Sequence, residues 1–190
     1  MMVFVVRHGQ SESNEQGLWT GQMDVPLTER GRLDAKRAGG LIAPVTFDHV
    51  FSSDLSRAVE TAQIAVPGCT PEQLCVLREV DVGDLMGQPI DCLTDAQRED
   101  ITAHGYRAFN GEPVEDFRAR VEAFRHELEQ MDYENVAVFT HGGWLKEFML
   151  QVLGVRIPTA KLRFGNCAVG VFEYQREKDN WRFHSLFNPL

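Results

Sequence analysis

Short apolar runs alternate along this chain with longer stretches in which apolar residues recur every three or four positions. Val3 to Val6 is a run of the first kind. Its β-branched, uninterrupted character predicts a strand buried on both faces. "DHVFSS" (48–53), "LCVLREV" (74–80) and "NVAVFT" (135–140) read as three more strands. "AVGVFEYQ" and "WRFHSLF" predict two late strands, joined by a hairpin near Lys178 to Asn180. The helical stretches lie between them. In "PLTERGRLDAKRAGGLI" Thr28 is the expected N-cap, and Leu33, Ala38, Leu41 and Ile42 the expected buried stripe. In "SDLSRAVETAQIAV" Ser53 or Asp54 is the expected cap, with Leu55, Ala58, Val59, Ala62 and Val66 inward. "PVEDFRARVEAFRHELEQM" is a long amphipathic helix opened by Pro113. "GGWLKEFMLQVLG" carries an apolar face and a terminating Gly154. Residues 80–112 are broken by glycines, with one short helix near Asp95 to Ala103.

Strands alternating with helices predict an α/β fold, three layers α/β/α around a mainly parallel central sheet. A chain of 190 residues without repeats or a linker suits a single domain over 1–190. Residues 80–112 would form a short lid-like segment on it.

Composition narrows the function classes. The net charge of -9 argues against a nucleic-acid partner, although one cleft can still be basic. No apolar run approaches the ~20 residues of a membrane helix, so no membrane partner is expected. Cys69, Cys75, Cys92 and Cys167 show no metal-binding or paired spacing. With no signal-peptide pattern at the start, the expected compartment is the cytoplasm. Oligomeric state is not written in the sequence.

In such folds chemistry gathers at the carboxyl ends of strands. Arg7, His8 and Gly9 follow the first strand. Ser52, Ser53 and Arg57 follow the second, Arg78 and Glu79 end the third, and His141, Gly142 and Gly143 follow the fourth. A strand entering a helix through two glycines offers free N–H groups and a positive dipole end, an anion site. Arg57 sits in the first turn of its helix, where a cation is disfavoured unless an anion lies beside it. Taken alone, the commoner reading is a surface pair with Glu60 or Asp54.

Read in order, "VVRHGQSESN", "GQMDVPLTERG", "SSDLSRAVETA", "LREVDVGDLMG", "FTHGGWLKEF" and "GNCAV" resemble the motifs of the histidine phosphatase, or phosphoglycerate-mutase-like, superfamily. The resemblance covers roughly residues 3 to 173. It implies a phosphohistidine on His8 and a phosphate held by Arg7, Arg57 and His141. It adds Asn14, the Gly142 backbone and Asn166 as further contacts, and Glu79 as proton donor. Thr20, Gly21 and Gln22 match a loop that touches the rest of the substrate. Ser13 stands where the family often has Trp, and Met86 where many phosphatases have an acid. Both departures bear on substrate preference.

Physical chemistry supports these roles. Arg7 and Arg57 would keep His8 neutral and nucleophilic, and would balance charge on the phosphoryl oxygens. Gly9 would clear space for the phosphate. No metal and no cofactor is called for. The expected partner is a small-molecule phosphate monoester, hydrolysed by a phosphatase. Phosphoglycerate mutase is the alternative. A catalytically inactive phospho-ligand-binding module is a third reading. Segment 80–112 is short and acidic, and Arg78 just before it, with Arg98, His104 and Arg107 within it, are the candidate cations. Hydrolysis is therefore favoured over isomerisation.

Overall fold

A computed structural model describes residues 1–158 and 161–189. Strands β1 (Met2–Arg7), β2 (His49–Ser52), β3 (Glu72–Gln73), β4 (Asn135–Thr140), β5 (Val169–Gln175) and β6 (Asn180–Phe187) form one sheet in the order β3-β2-β4-β1-β5-β6. The pairs β3–β2, β2–β4 and β4–β1 are parallel. β5 is antiparallel to both β1 and β6, and Asp179 makes the hairpin turn in the left-handed region. The mainly parallel sheet of the sequence reading is thus present, with an antiparallel hairpin on one edge.

Helices α1 (Glu12–Gln16), α2 (Glu29–Ile42), α3 (Ser56–Ala65), α4 (Asp95–His104), α5 (Val114–Glu129) and α6 (Gly142–Leu153) complete the regular elements discussed below. Alternation along β1 and β4 explains the layers. Val3, Val5, Val136 and Val138 face α5 and α6, meeting Val121, Phe124, Trp144 and Phe148. Val6, Ala137 and Phe139 face α2 and α3, meeting Ala35, Ala38, Ile42 and Ala62. Both faces are covered, so the two central strands are apolar nearly throughout.

Three local expectations are corrected. The buried stripe of α2 is Gly31, Ala35, Ala38, Gly39 and Ile42. Small residues let α2 lie close to α3, and Leu33 and Leu41 are turned out, 51% and 50% exposed. Neither Ser53 nor Asp54 caps α3. Asp24, from a distant loop, accepts from the backbone N–H of Ser56 at 2.8 Å. Asp54 instead accepts from Arg78 Nε at 2.8 Å.

The third strand is only Glu72–Gln73, and residues 75–77 form a 3-10 turn. Its carbonyls have side-chain partners in place of a sheet neighbour. Trp144 Nε1 donates to Val76 O at 3.1 Å. Arg120 donates to the carbonyls of Val76, Arg78 and Glu79 at 2.8, 2.7 and 2.9 Å. Every carbonyl so engaged is removed from a possible ladder.

Candidate active site

Register places the two histidines. β1 and β4 run parallel with Arg7 opposite Thr140, so His8 and His141 emerge side by side one residue later. Their ring centroids lie 5.1 Å apart, and both residues are buried. His8 Nδ1 sits 2.6 Å from the Gly9 carbonyl, which can only accept, so Nδ1 carries the proton. Nε2 is left with its lone pair, and Arg57 Nε donates to it at 3.3 Å. Burial, then Arg57 and Arg7, hold His8 well below the usual histidine range. Burial first, then Arg57, does the same to His141. Both rings are neutral at physiological pH.

Arg57 is fully buried, which removes the surface reading. Its Nη1 and Nη2 donate to the carbonyls of Met23 and Gly21 at 2.7 and 2.8 Å. Glu60 pairs with Arg32 instead, at 2.6 Å. Burial lowers the Arg57 pKa to about 10, and the group remains a cation. Arg7 donates through Nη1 to Phe164 O at 2.5 Å. Its Nε is buried without a partner, as are both ring nitrogens of His141. Arg7 Nε lies against Gly142 at the start of α6. Unbonded buried donors beside a helix N-terminus are the makings of an anion cradle.

Glu79 borders the same cradle. Gly143 N–H donates to its Oε2 at 2.9 Å, and Val80 N–H to its Oε1 at 3.0 Å. A methyl group on Gly143 would lie 2.3 Å from Oε1. Only glycine admits the carboxylate this closely.

Arg7, His8, Asn14, Thr20, Gly21, Arg57 and Glu79 line one cavity of about 400 Å³. Asn166 stands behind that wall, donating to Asn14 Oδ1 at 2.9 Å and His8 O at 3.2 Å. Gln22 is not a lining residue. Its amide bridges the Glu79 carbonyl at 3.1 Å and Arg78 Nη1 at 3.3 Å. Gly9 does not clear space for a ligand. A Cβ there would meet Gly31 O at 2.4 Å, so its smallness lets β1 run on against α2.

Several residues escaped the sequence reading. Thr61 accepts from Gly9 N–H at 3.0 Å and donates to Arg57 O at 2.6 Å, tying α3 to the residue that follows His8. Its signal was a polar residue on the buried face of α3, four after Arg57. Lys146 lines the cavity one turn into α6, its pKa lowered chiefly by burial. Trp19, Tyr106 and Arg118 line it too, and nothing in their sequence context marks them. Among the described residues no group of three or more His, Cys, Asp or Glu side chains is placed to hold a metal ion. No helix among them is long and apolar enough to cross a membrane.

The chain is similar to known proteins over nearly its whole length. The family model described as histidine phosphatase superfamily (branch 1) matches residues 3–189. A probable phosphoglycerate mutase GpmB of Salmonella paratyphi A is 31% identical over 188 residues, 94% of this chain and 87% of that protein. An adenosylcobalamin/alpha-ribazole phosphatase of Salmonella typhimurium is 33% identical over 170 residues, 85% and 83% of the two chains. A putative alpha-ribazole-5'-P phosphatase from Escherichia coli superposes with a TM-score of 0.86 at 26% identity, covering 100% of this chain and 97% of that one. With its phosphoglycerate-mutase-like fold, the chain belongs to branch 1 of the histidine phosphatase superfamily.

Proposed function

We propose that the chain hydrolyses a small-molecule phosphate monoester through a phosphohistidine on His8. One observation carries this reading. The His8 Nε2 lone pair is held by Arg57 beside Arg7 and His141, and the unpartnered Arg7 Nε and His141 ring nitrogens suit the phosphoryl oxygens. In the first step Nε2 attacks phosphorus, the P–N bond forms and the ester P–O bond breaks. Glu79, as the acid, gives its proton to the leaving oxygen. In the second step Glu79 takes a proton from water as that water attacks phosphorus. The P–N bond breaks, phosphate leaves and His8 is restored. The arginines balance charge on the equatorial oxygens in both steps, and neutral His141 donates a hydrogen bond to one of them. Residues 80–112 act as the lid, contributing Val80, Val82, Ile90 and Leu93 to the cavity wall.

Phosphoryl transfer to a second hydroxyl is the alternative, because relatives of similar identity carry either a mutase or a phosphatase name. Hydrolysis is favoured by the cations of the 78–112 segment, most of which are engaged. Arg78 pairs with Asp54, Arg98 holds the Ile90 carbonyl at 2.8 Å and Arg107 pairs with Glu115. The test is quenched turnover with labelled ester. Acid-labile, base-stable label on His8, its loss in His8→Ala and steady phosphate release are expected. Label on another residue overturns the mechanism. Isomerisation of 3-phosphoglycerate tenfold faster than phosphate release overturns hydrolysis.

A further inference from the structure

The cavity wall is not uniform. Trp19, Val82, Leu93, Ile101, Tyr106 and Phe117 give it an apolar part, drawn from three stretches of chain, while Arg98, Arg118 and Lys146 line it as well. Val82 and Leu93 are buried there, with Trp19, Ile101 and Tyr106 packed on them. The Trp19 and Tyr106 rings meet edge to face at 5.8 Å. Trp19 Nε1–H is buried with no acceptor. A volume of about 400 Å³ exceeds what a phosphate on a three-carbon skeleton fills. A polar sugar or glycerate could meet Arg98, Arg118 or Lys146 but would leave the apolar side chains unmatched.

From this wall we infer that the enzyme selects phosphate monoesters whose alcohol carries a ring-sized apolar, preferably aromatic, group, with Trp19 as the specificity-determining residue. The inference rests on the hydrolytic reading above, because it assigns the remainder of the same substrate. Trp19 and Tyr106 offer ring edges and faces to a flat group. The Trp19 N–H can be satisfied by an acceptor on that group, such as a ring nitrogen or an ether oxygen. Contacts with the alcohol raise kcat/KM by holding the ester in the cradle while the bond changes proceed.

The test compares 2-phenylethyl phosphate with glycerol 3-phosphate and 3-phosphoglycerate. The first two leave as primary alkoxides, so leaving-group ability is nearly matched and the apolar contacts decide. We expect kcat/KM at least tenfold higher for the phenylethyl ester, about 1.4 kcal/mol. Trp19→Ala is expected to reduce that ratio at least fivefold, and Trp19→Phe to keep most of it. Binding is measured separately on His8→Ala, by calorimetry with 3-phenylpropylphosphonate and with methylphosphonate. The phenyl compound should bind at least tenfold tighter, whether or not the enzyme is a phosphatase. Equal binding of the two phosphonates, or a glycerol or glycerate ester preferred in turnover, overturns the apolar assignment. Absence of turnover with selective phosphonate binding overturns only the hydrolytic reading.

Discussion

Glu79 and Gly143 meet in close contact at the edge of the cradle. If Glu79 protonates the leaving oxygen, Glu79→Gln should slow alkyl esters by about 10²–10⁴-fold. On p-nitrophenyl phosphate, whose leaving group needs little protonation, the loss should stay below about tenfold. Equal losses in a steady-state comparison would move the proton elsewhere. Gly9 makes a different kind of contact, backbone against backbone. Gly9→Ala puts a methyl 2.4 Å from Gly31 O and should cost about 1–3 kcal/mol in a urea titration. At this scale the sequence was informative where a reactive side chain directly follows a strand. Arg7, His8 and His141 lie at the carboxyl ends of β1 and β4, where the sequence reading puts them, whereas Glu79 follows a 3-10 turn and Arg57 lies in the first turn of α3. Thr61 was not marked, because it acts through a hydrogen bond to the remote Gly9 backbone, and Gln22, matched to a substrate loop, instead bridges the Glu79 carbonyl and Arg78.

Among elements, α5 does more than cover a sheet face. Arg120, on that helix, holds the carbonyls of Val76, Arg78 and Glu79, and Glu112 accepts from its Nε at 2.7 Å. Glu112 also accepts from Asp81 N–H at 3.2 Å. The pair therefore joins the Glu79 segment to the lid. Arg120→Met would leave a mostly buried carboxylate without its cation, and should destabilise by about 3 kcal/mol in denaturant unfolding. Arg120→Lys should recover only part, since an ammonium cannot reproduce the planar fork. This device explains the misread third strand. "LCVLREV" has the apolar content of a strand, but its partners are an arginine and a tryptophan from helices. Long periodic helices were legible to within a residue or two. The inward stripe of α2 was not, since small residues, chosen for close approach, give a weak apolar signal.

The molecule as a whole is sensitive to acid through its two buried histidines. Both have pKa values lowered in the folded state from the ordinary 6.5. Below 6.5 the unfolded chain binds protons that the folded chain refuses. Stability is unaffected by these groups above that pH, and falls as pH drops below it. The slope approaches about 1.4 kcal/mol per pH unit for each histidine. Asp54 and Glu173 work in a lower window, below their ordinary 3.8 and 4.5, because their folded pKa values are depressed. Urea unfolding from pH 7.5 to 5.0 should therefore show a loss that shrinks in a His8→Gln/His141→Gln variant. A pH-independent midpoint across that range would contradict the buried neutral pair.

The pairing of β1 with strands from far along the chain has a consequence for how activity is gained. β1 is bordered by β4 on one side and β5 on the other, so its neighbours arrive only with residues 135–140 and 169–175. During synthesis the first strand leaves the ribosome long before either partner exists. His8 has no His141 beside it until the last third of the chain is made. Such distant pairing slows the search for the native arrangement. Catalysis is therefore a marker of completed folding: in refolding from urea, turnover should return with the final kinetic phase, and helix signal should return ahead of it.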